Sequence, residues 1–241
     1  MNIKDFEKII IYQFGKVGSE TLRSTFMQIK EEVQHTHDFN DLILKPTKPL
    51  LIVNVVRNLF DRNISAMFQN IGAYGPPAEL AIGKNGYIRE GYFLQNRPLL
   101  LGENISEISD FFRKTNIEIL LKLIYKKWYS DFNKYTGIDI FETPFDRDKK
   151  YKIIPGCNKT ILVLRFEDIE QWGNILSNIF DYKIQLVSKN LTKQKPLHSL
   201  YEKFKKHYKY SKEEIKMIKK IDFIKHFYTK DEINKIIKKY E

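Results

Sequence analysis

The sequence predicts an α/β fold, with a central, mostly parallel sheet covered by helices on both faces in a three-layer arrangement. Three stretches predict it. Ile9-Ile10-Ile11-Tyr12-Gln13-Phe14, Leu50-Leu51-Ile52-Val53-Asn54-Val55-Val56 and Thr160-Ile161-Leu162-Val163-Leu164-Arg165 are apolar at nearly every position. Runs of that kind suit parallel strands buried on both faces. A helical pattern follows each run, and strand–helix alternation implies a parallel sheet.

The elements follow in order. After a polar lead-in at residues 1–7, the first strand covers about residues 8–14. A helix runs from near Ser19 to about Glu32. Val33-Gln34-His35-Thr36-His37 reads as a short second strand, and residues 38–49 as a loop with two prolines. Residues 50–56 are the clearest strand, and a helix runs from about Leu59 to Asn70. Residues 71–102 break the pattern with glycines, Pro76-Pro77, Pro98 and scattered aromatics. They read as an irregular insertion, and long loops of this kind are often binding lids. A long helix is expected from about Ser106, or earlier, to Tyr135, where Thr136-Gly137 ends it. Ile138-Asp139-Ile140-Phe141 reads as a short strand and residues 143–156 as a polar loop. A strand at 160–165 and a helix at 167–180 follow, and residues 181–194 carry no clear pattern. From Pro196 the chain predicts two or three amphipathic helices. Ser211 with Glu214, and Thr229 with Glu232, have capping-box spacing.

The 241 residues suit a single domain, with the insertion at about 71–102 and a helical C-terminal segment at about 196–241. Hydrophobic content of 42% and aromatic content of 14% exclude a disordered chain. Forty-one Lys and Arg against 30 Asp and Glu give a formal charge of +11, which favours an anionic partner or simply solvates the surface. Cys157 is the only cysteine, so no internal disulfide or thiolate metal cluster can form. No signal-peptide pattern and no membrane-length apolar run occur, and a cytoplasmic protein is expected.

Gly15-Lys16-Val17-Gly18-Ser19-Glu20-Thr21 joins the first strand to the first helix. Glycines let a backbone approach a phosphate, and a helix N-terminus aims free N–H groups at it. Lys16 adds a charge, and Ser19 and Thr21 add hydroxyls. The stretch is not the nucleotide-triphosphatase loop, because its lysine precedes the second glycine and no Lys-Ser/Thr pair follows. It suits a phosphate-like group without the usual magnesium ligand.

Arg57 follows the clearest strand, at the sheet edge where ligands of α/β folds bind. Ser65 lies about two turns along the next helix. An arginine fork and a serine hydroxyl can converge on one phosphate, with Arg62 as a further cation.

Together, Lys16-Val17-Gly18-Ser19 and the Arg57/Ser65 pair resemble the sulfotransferase superfamily, which uses 3′-phosphoadenosine 5′-phosphosulfate (PAPS). Lys127-Trp128-Tyr129-Ser130, Gly137-Ile138-Asp139-Ile140-Phe141, Pro144-Phe145-Asp146 and Leu164-Arg165-Phe166-Glu167-Asp168 look like the bacterial putative capsular polysaccharide synthesis family. Lys126 stands where that family has asparagine. The resemblance covers roughly residues 9–180. It implies a P-loop NTPase-like fold of the sulfotransferase type, PAPS as co-substrate, no metal and a saccharide or glycan acceptor. It also implies that Gly15, Lys16, Val17, Gly18, Ser19, Glu20 and Thr21 hold the 5′-phosphosulfate and that Arg57 and Ser65 hold the 3′-phosphate. Lys16 is the leading catalytic candidate, facing the charge that builds on the departing phosphate.

A general base should take the acceptor's proton. By resemblance to polysaccharide sulfotransferases, His37 is favoured, then His35; both can equally be plain surface residues. One residue apart on a strand, the two should point to opposite faces. Glu20 is a rival base. Trp128, Tyr129 and Phe132 at helical spacing read as core packing, with Tyr129 or Ser130 reaching the acceptor as the minor alternative. Arg165 and Glu167 can reach the cleft or form an ion pair. Lys84, Arg89, Tyr92 and Arg97 can grip an anionic saccharide or be solvated. The C-terminal lysines read as a solvated face, while peripheral contact with a membrane surface stays open. No nucleic-acid motif is present. Two rival functions are a kinase or hydrolase on the same fold and a non-catalytic polyanion-binding module.

Overall fold

The computed structural model describes residues 1–13, 15–37, 47–71, 104–121, 124–187 and 198–240. Phe14, most of the 38–49 loop and nearly all of the insertion, with Lys84, Arg89, Tyr92 and Arg97, lie outside the described residues. The chain divides into two compact units, Met1–Asn58 with Tyr125–Leu191, and Leu59–Ile124 with Thr192–Glu241.

The first unit is α/β. Its strands are β1 (Lys8–Tyr12), β2 (Val33–Thr36), β3 (Leu50–Val56), β4 (Tyr151–Pro155) and β5 (Lys159–Arg165), in the sheet order β2-β1-β3-β5-β4. β2, β1, β3 and β5 are parallel, and β4 pairs antiparallel with β5. Every residue of β3 is buried, as its unbroken apolar run requires at the sheet centre. Ile9 and Ile11, Leu51, Val53 and Val55, and Leu162 and Leu164 face one core. Helix α1 (Ser19–Phe26) fills that core with Leu22 and Phe26. The C-terminal helix of this unit, Trp172–Phe180, adds Trp172, Leu176 and Phe180. On the other face, Tyr12 stacks on Trp128 at 5.0 Å and on Phe132 at 5.7 Å. These two aromatics and Tyr129 are buried, so the core-packing reading describes them.

Three local expectations need correction. Helix α1 ends at Phe26, not near Glu32. The N–H groups of Gln28 and Ile29 turn back to Thr25 and Phe26, and the chain enters β2 at Val33. Residues 138–141 are a turn, not a strand: Asp139 Oδ1 accepts from the Phe141 N–H at 2.8 Å. The supposed polar loop at 143–156 contains β4. Its buried residue is Lys152, whose ammonium donates to the carbonyl of Thr143, and Pro155 ends the strand at the sheet edge.

The second unit is helical in its described residues. It contains α2 (Leu59–Ile71) and α3 (Ile105–Leu121). The next helix, α4 (Ile124–Thr136), has all but its first residue in the first unit, and α5 is Trp172–Phe180. The second unit ends with α6 (His198–His207), α7 (Lys212–Lys220), α8 (Asp222–Phe227) and α9 (Lys230–Lys238). Both expected capping boxes form, Ser211 with Glu214 and Thr229 with Glu232. Glu214 is fully buried and accepts from Asn116 Nδ2 at 2.9 Å and from the Tyr208 hydroxyl at 2.6 Å. Arg113 Nε lies 3.6 Å from it. Burial and the Glu214 carboxylate hold the Tyr208 phenol far above its ordinary range. Among the described residues, no helix is long and apolar enough to cross a membrane.

Candidate functional site

The candidate site lies at the C-terminal edge of the parallel strands of the first unit. Its backbone is set by three left-handed residues between β1 and α1: Gly15 (φ 89°), Lys16 (φ 62°) and Gly18 (φ 80°). Glycine adopts this region without penalty, but at Lys16 it costs about 1–2 kcal/mol. Strain held at a lysine beside a helix start is the kind of feature that gathers at ligand sites. Val17 points inward and is buried, anchoring the loop. Gly18 is the N-cap of α1 and supplies no side-chain cap, so the first-turn N–H groups lack that partner. Thr21 is buried in that turn, while Ser19 and Glu20 are partly exposed.

Arg57 follows β3 directly and reaches this loop. Its guanidinium donates to the Lys16 carbonyl at 2.8 Å and lies over the Phe166 ring at 4.2 Å. Its Nε is buried with no hydrogen-bond partner among the described residues. Phe166 also abuts Gly18: a β-carbon there would stand 3.2 Å from the ring, and 3.3 Å from Trp172. Trp172 is pinned in turn by donating to the Arg165 carbonyl at 3.0 Å. Arg165 makes a buried ion pair with Asp168 at 2.7 Å, while Glu167 accepts from the backbone and side chain of Asn58. Both residues therefore serve structure here. Ser65, expected beside Arg57, belongs to the second unit, where it is half-buried on α2.

The two histidines meet instead of parting. Strand β2 ends at Thr36, so His37 escapes the alternation, and the two rings lie 4.9 Å apart, edge to face. His37 Nδ1 lies 2.9 Å from the Gln13 carbonyl, which can only accept. Nδ1 therefore carries the proton, and in the neutral ring Nε2 carries the lone pair on an exposed side chain. His35 Nδ1 lies 3.1 Å from Glu20 Oε1, and its Nε2 lies 3.1 Å from Gln13 Nε2. Both nitrogens of His35 are thus engaged. Burial first, and His37 second, hold its pKa below the ordinary histidine value, against the opposing pull of Glu20. Glu20, the rival base, is shared between His35 and Arg23.

The structure adds to the site Gln13, and Phe166 from the Leu164–Asp168 stretch. Gln13 is almost fully buried, and its Oε1 accepts from the Gly15 N–H. Its signal in the sequence is a polar residue inside the apolar run Ile9–Phe14. Among the described residues, no group of three or more His, Cys, Asp or Glu is arranged to hold a metal.

No protein-family model matches the chain, and neither a curated protein nor a solved structure matches it.

Proposed function

We propose that this chain is a PAPS-dependent sulfotransferase on a P-loop NTPase-like fold. It transfers a sulfuryl group to a saccharide hydroxyl, in the cytoplasm, during synthesis of a capsular or other cell-surface polysaccharide. The observation that carries this reading is the Arg57 hydrogen bond to the Lys16 carbonyl, which brings a guanidinium onto the β1–α1 loop at one sheet edge. The buried Nε of Arg57, without a hydrogen-bond partner among the described residues, supports it, since it leaves a donor for an anionic oxygen.

In this reaction the bond from sulfur to the 5′-phosphate oxygen breaks as sulfur bonds to the acceptor oxygen. Lys16 and the loop N–H groups stabilise the charge that collects on the departing phosphate. His37 Nε2 takes the acceptor's proton, because its Nδ1–H is held by the Gln13 carbonyl. Arg57 holds the 3′-phosphate with its planar guanidinium.

The test is transfer of radiolabelled sulfuryl from PAPS to a panel of neutral and acidic oligosaccharides. Label should move to a saccharide, and Lys16→Ala or His37→Asn should each slow transfer by about 10²–10³-fold. Absence of transfer, together with absence of binding to adenosine 3′,5′-bisphosphate, would overturn the reading.

A further inference from the structure

Gln13 uses both ends of its carboxamide. The Gly15 N–H can only donate, so Gln13 Oε1 must face it, and the amide orientation is fixed. Gln13 Nε2–H therefore points at His35 Nε2, which must be the bare nitrogen. The His35 proton then sits on Nδ1, facing Glu20 Oε1. One chain of bonds runs from the loop backbone through Gln13 and His35 to Glu20.

We propose that Gln13 is a positioning residue that couples the protonation state of His35 to the Gly15 amide of the β1–α1 loop. A proton on His35 Nε2 sets two donors against each other. The Gln13 carboxamide then turns over, its oxygen accepts from the imidazolium, and the Gly15 N–H loses that acceptor. The groups facing His35 are Gln13 from the end of β1, Glu20 and Arg23 from α1, and His37 from its own segment. Glu20 favours the imidazolium, while Arg23, His37 and burial oppose it. At low pH an anion can take the place of Gln13 Oε1 on Gly15, beside an added positive charge. That consequence for ligand affinity rests on the sulfotransferase reading; the coupling itself does not.

The experiment is an NMR titration of the ligand-free full chain, labelled with ¹⁵N at histidine and glycine, from pH 8 to pH 5. The wild type should show His35 as the Nδ1–H tautomer, and the Gly15 amide should shift with the His35 midpoint. In Gln13→Glu the carboxylate accepts from both neighbours, so the His35 midpoint should rise by about one unit and the Gly15 amide should stop following it. An Nε2–H tautomer in the wild type, or a Gly15 amide indifferent to His35, would overturn the proposal. Both are read without the variant, should it fail to fold. Adenosine 3′,5′-bisphosphate affinity at pH 8 and pH 5.5 separates the two ideas. Coupling seen by NMR with no binding at either pH would leave Gln13 as proposed and remove the sulfotransferase reading.

Discussion

Gly18→Ala tests how tightly the loop is built. Two costs arise at this position. A φ of 80° is left-handed, which costs an L side chain about 1–2 kcal/mol. Reduced freedom of the unfolded chain offsets about 0.4–1 kcal/mol of that. The new methyl also meets Phe166 at 3.2 Å and Trp172 at 3.3 Å, closer than ordinary packing. Neither ring yields easily, since Phe166 lies under the Arg57 guanidinium and Trp172 is tied to the Arg165 carbonyl. Overpacking of this kind costs about 1–3 kcal/mol. The net loss should be about 2–3 kcal/mol, a fall of about 5–10 °C in Tm for a chain of this size. Urea unfolding followed by circular dichroism measures it directly. A loss below about 0.5 kcal/mol would refute the close approach of loop and rings.

Three further outcomes follow from the geometry. Lys16→Gly removes the left-handed penalty and adds unfolded-chain entropy, so stability should change by less than about 1 kcal/mol while nucleotide binding weakens; a large loss of stability would show that the lysine serves the fold. The His35 pKa is lower in the folded chain, so the unfolded chain takes up the proton first as pH falls. His35 therefore contributes stability above the ordinary histidine value of about 6.5, and this is lost below it until the folded group also titrates. Denaturant midpoints between pH 7.5 and 5 should show that slope in the wild type, and His35→Asn should flatten it. Glu214→Ala strands Asn116, the Tyr208 hydroxyl and the Ser211 N–H, and should destabilise the protein by about 3 kcal/mol in the same unfolding assay.

The sheet was legible where apolar burial alone wrote the sequence. β3 runs Leu50–Val56 as expected, because a central strand has no solvent face to encode. Edge structure was harder to read. β4 buries a lysine where an apolar residue would mark a strand, and the Asp139 turn mimics a strand because Ile138 and Ile140 are both buried. The loop and Arg57 were legible as residue types in a spacing. The hub at Gln13 was not, because its role depends on tertiary partners: Gly15 fixes its amide and His35 reads it. The meeting of His35 and His37 was likewise hidden, since it turns on β2 stopping one residue short of His37.

The central claim is that the Lys16 loop and Arg57 form a site for a nucleotide phosphorylated at both ends. Binding of adenosine 3′,5′-bisphosphate by the full chain, with ATP and magnesium as control, tests it most directly. At a hundredfold excess over Kd, a ligand that binds only the folded state adds about 2.7 kcal/mol, or about 5–10 °C in Tm. The account predicts such a rise with the bisphosphate and its loss in a folded Arg57→Ala chain. No rise with the bisphosphate, or a rise only with ATP and magnesium, would contradict it.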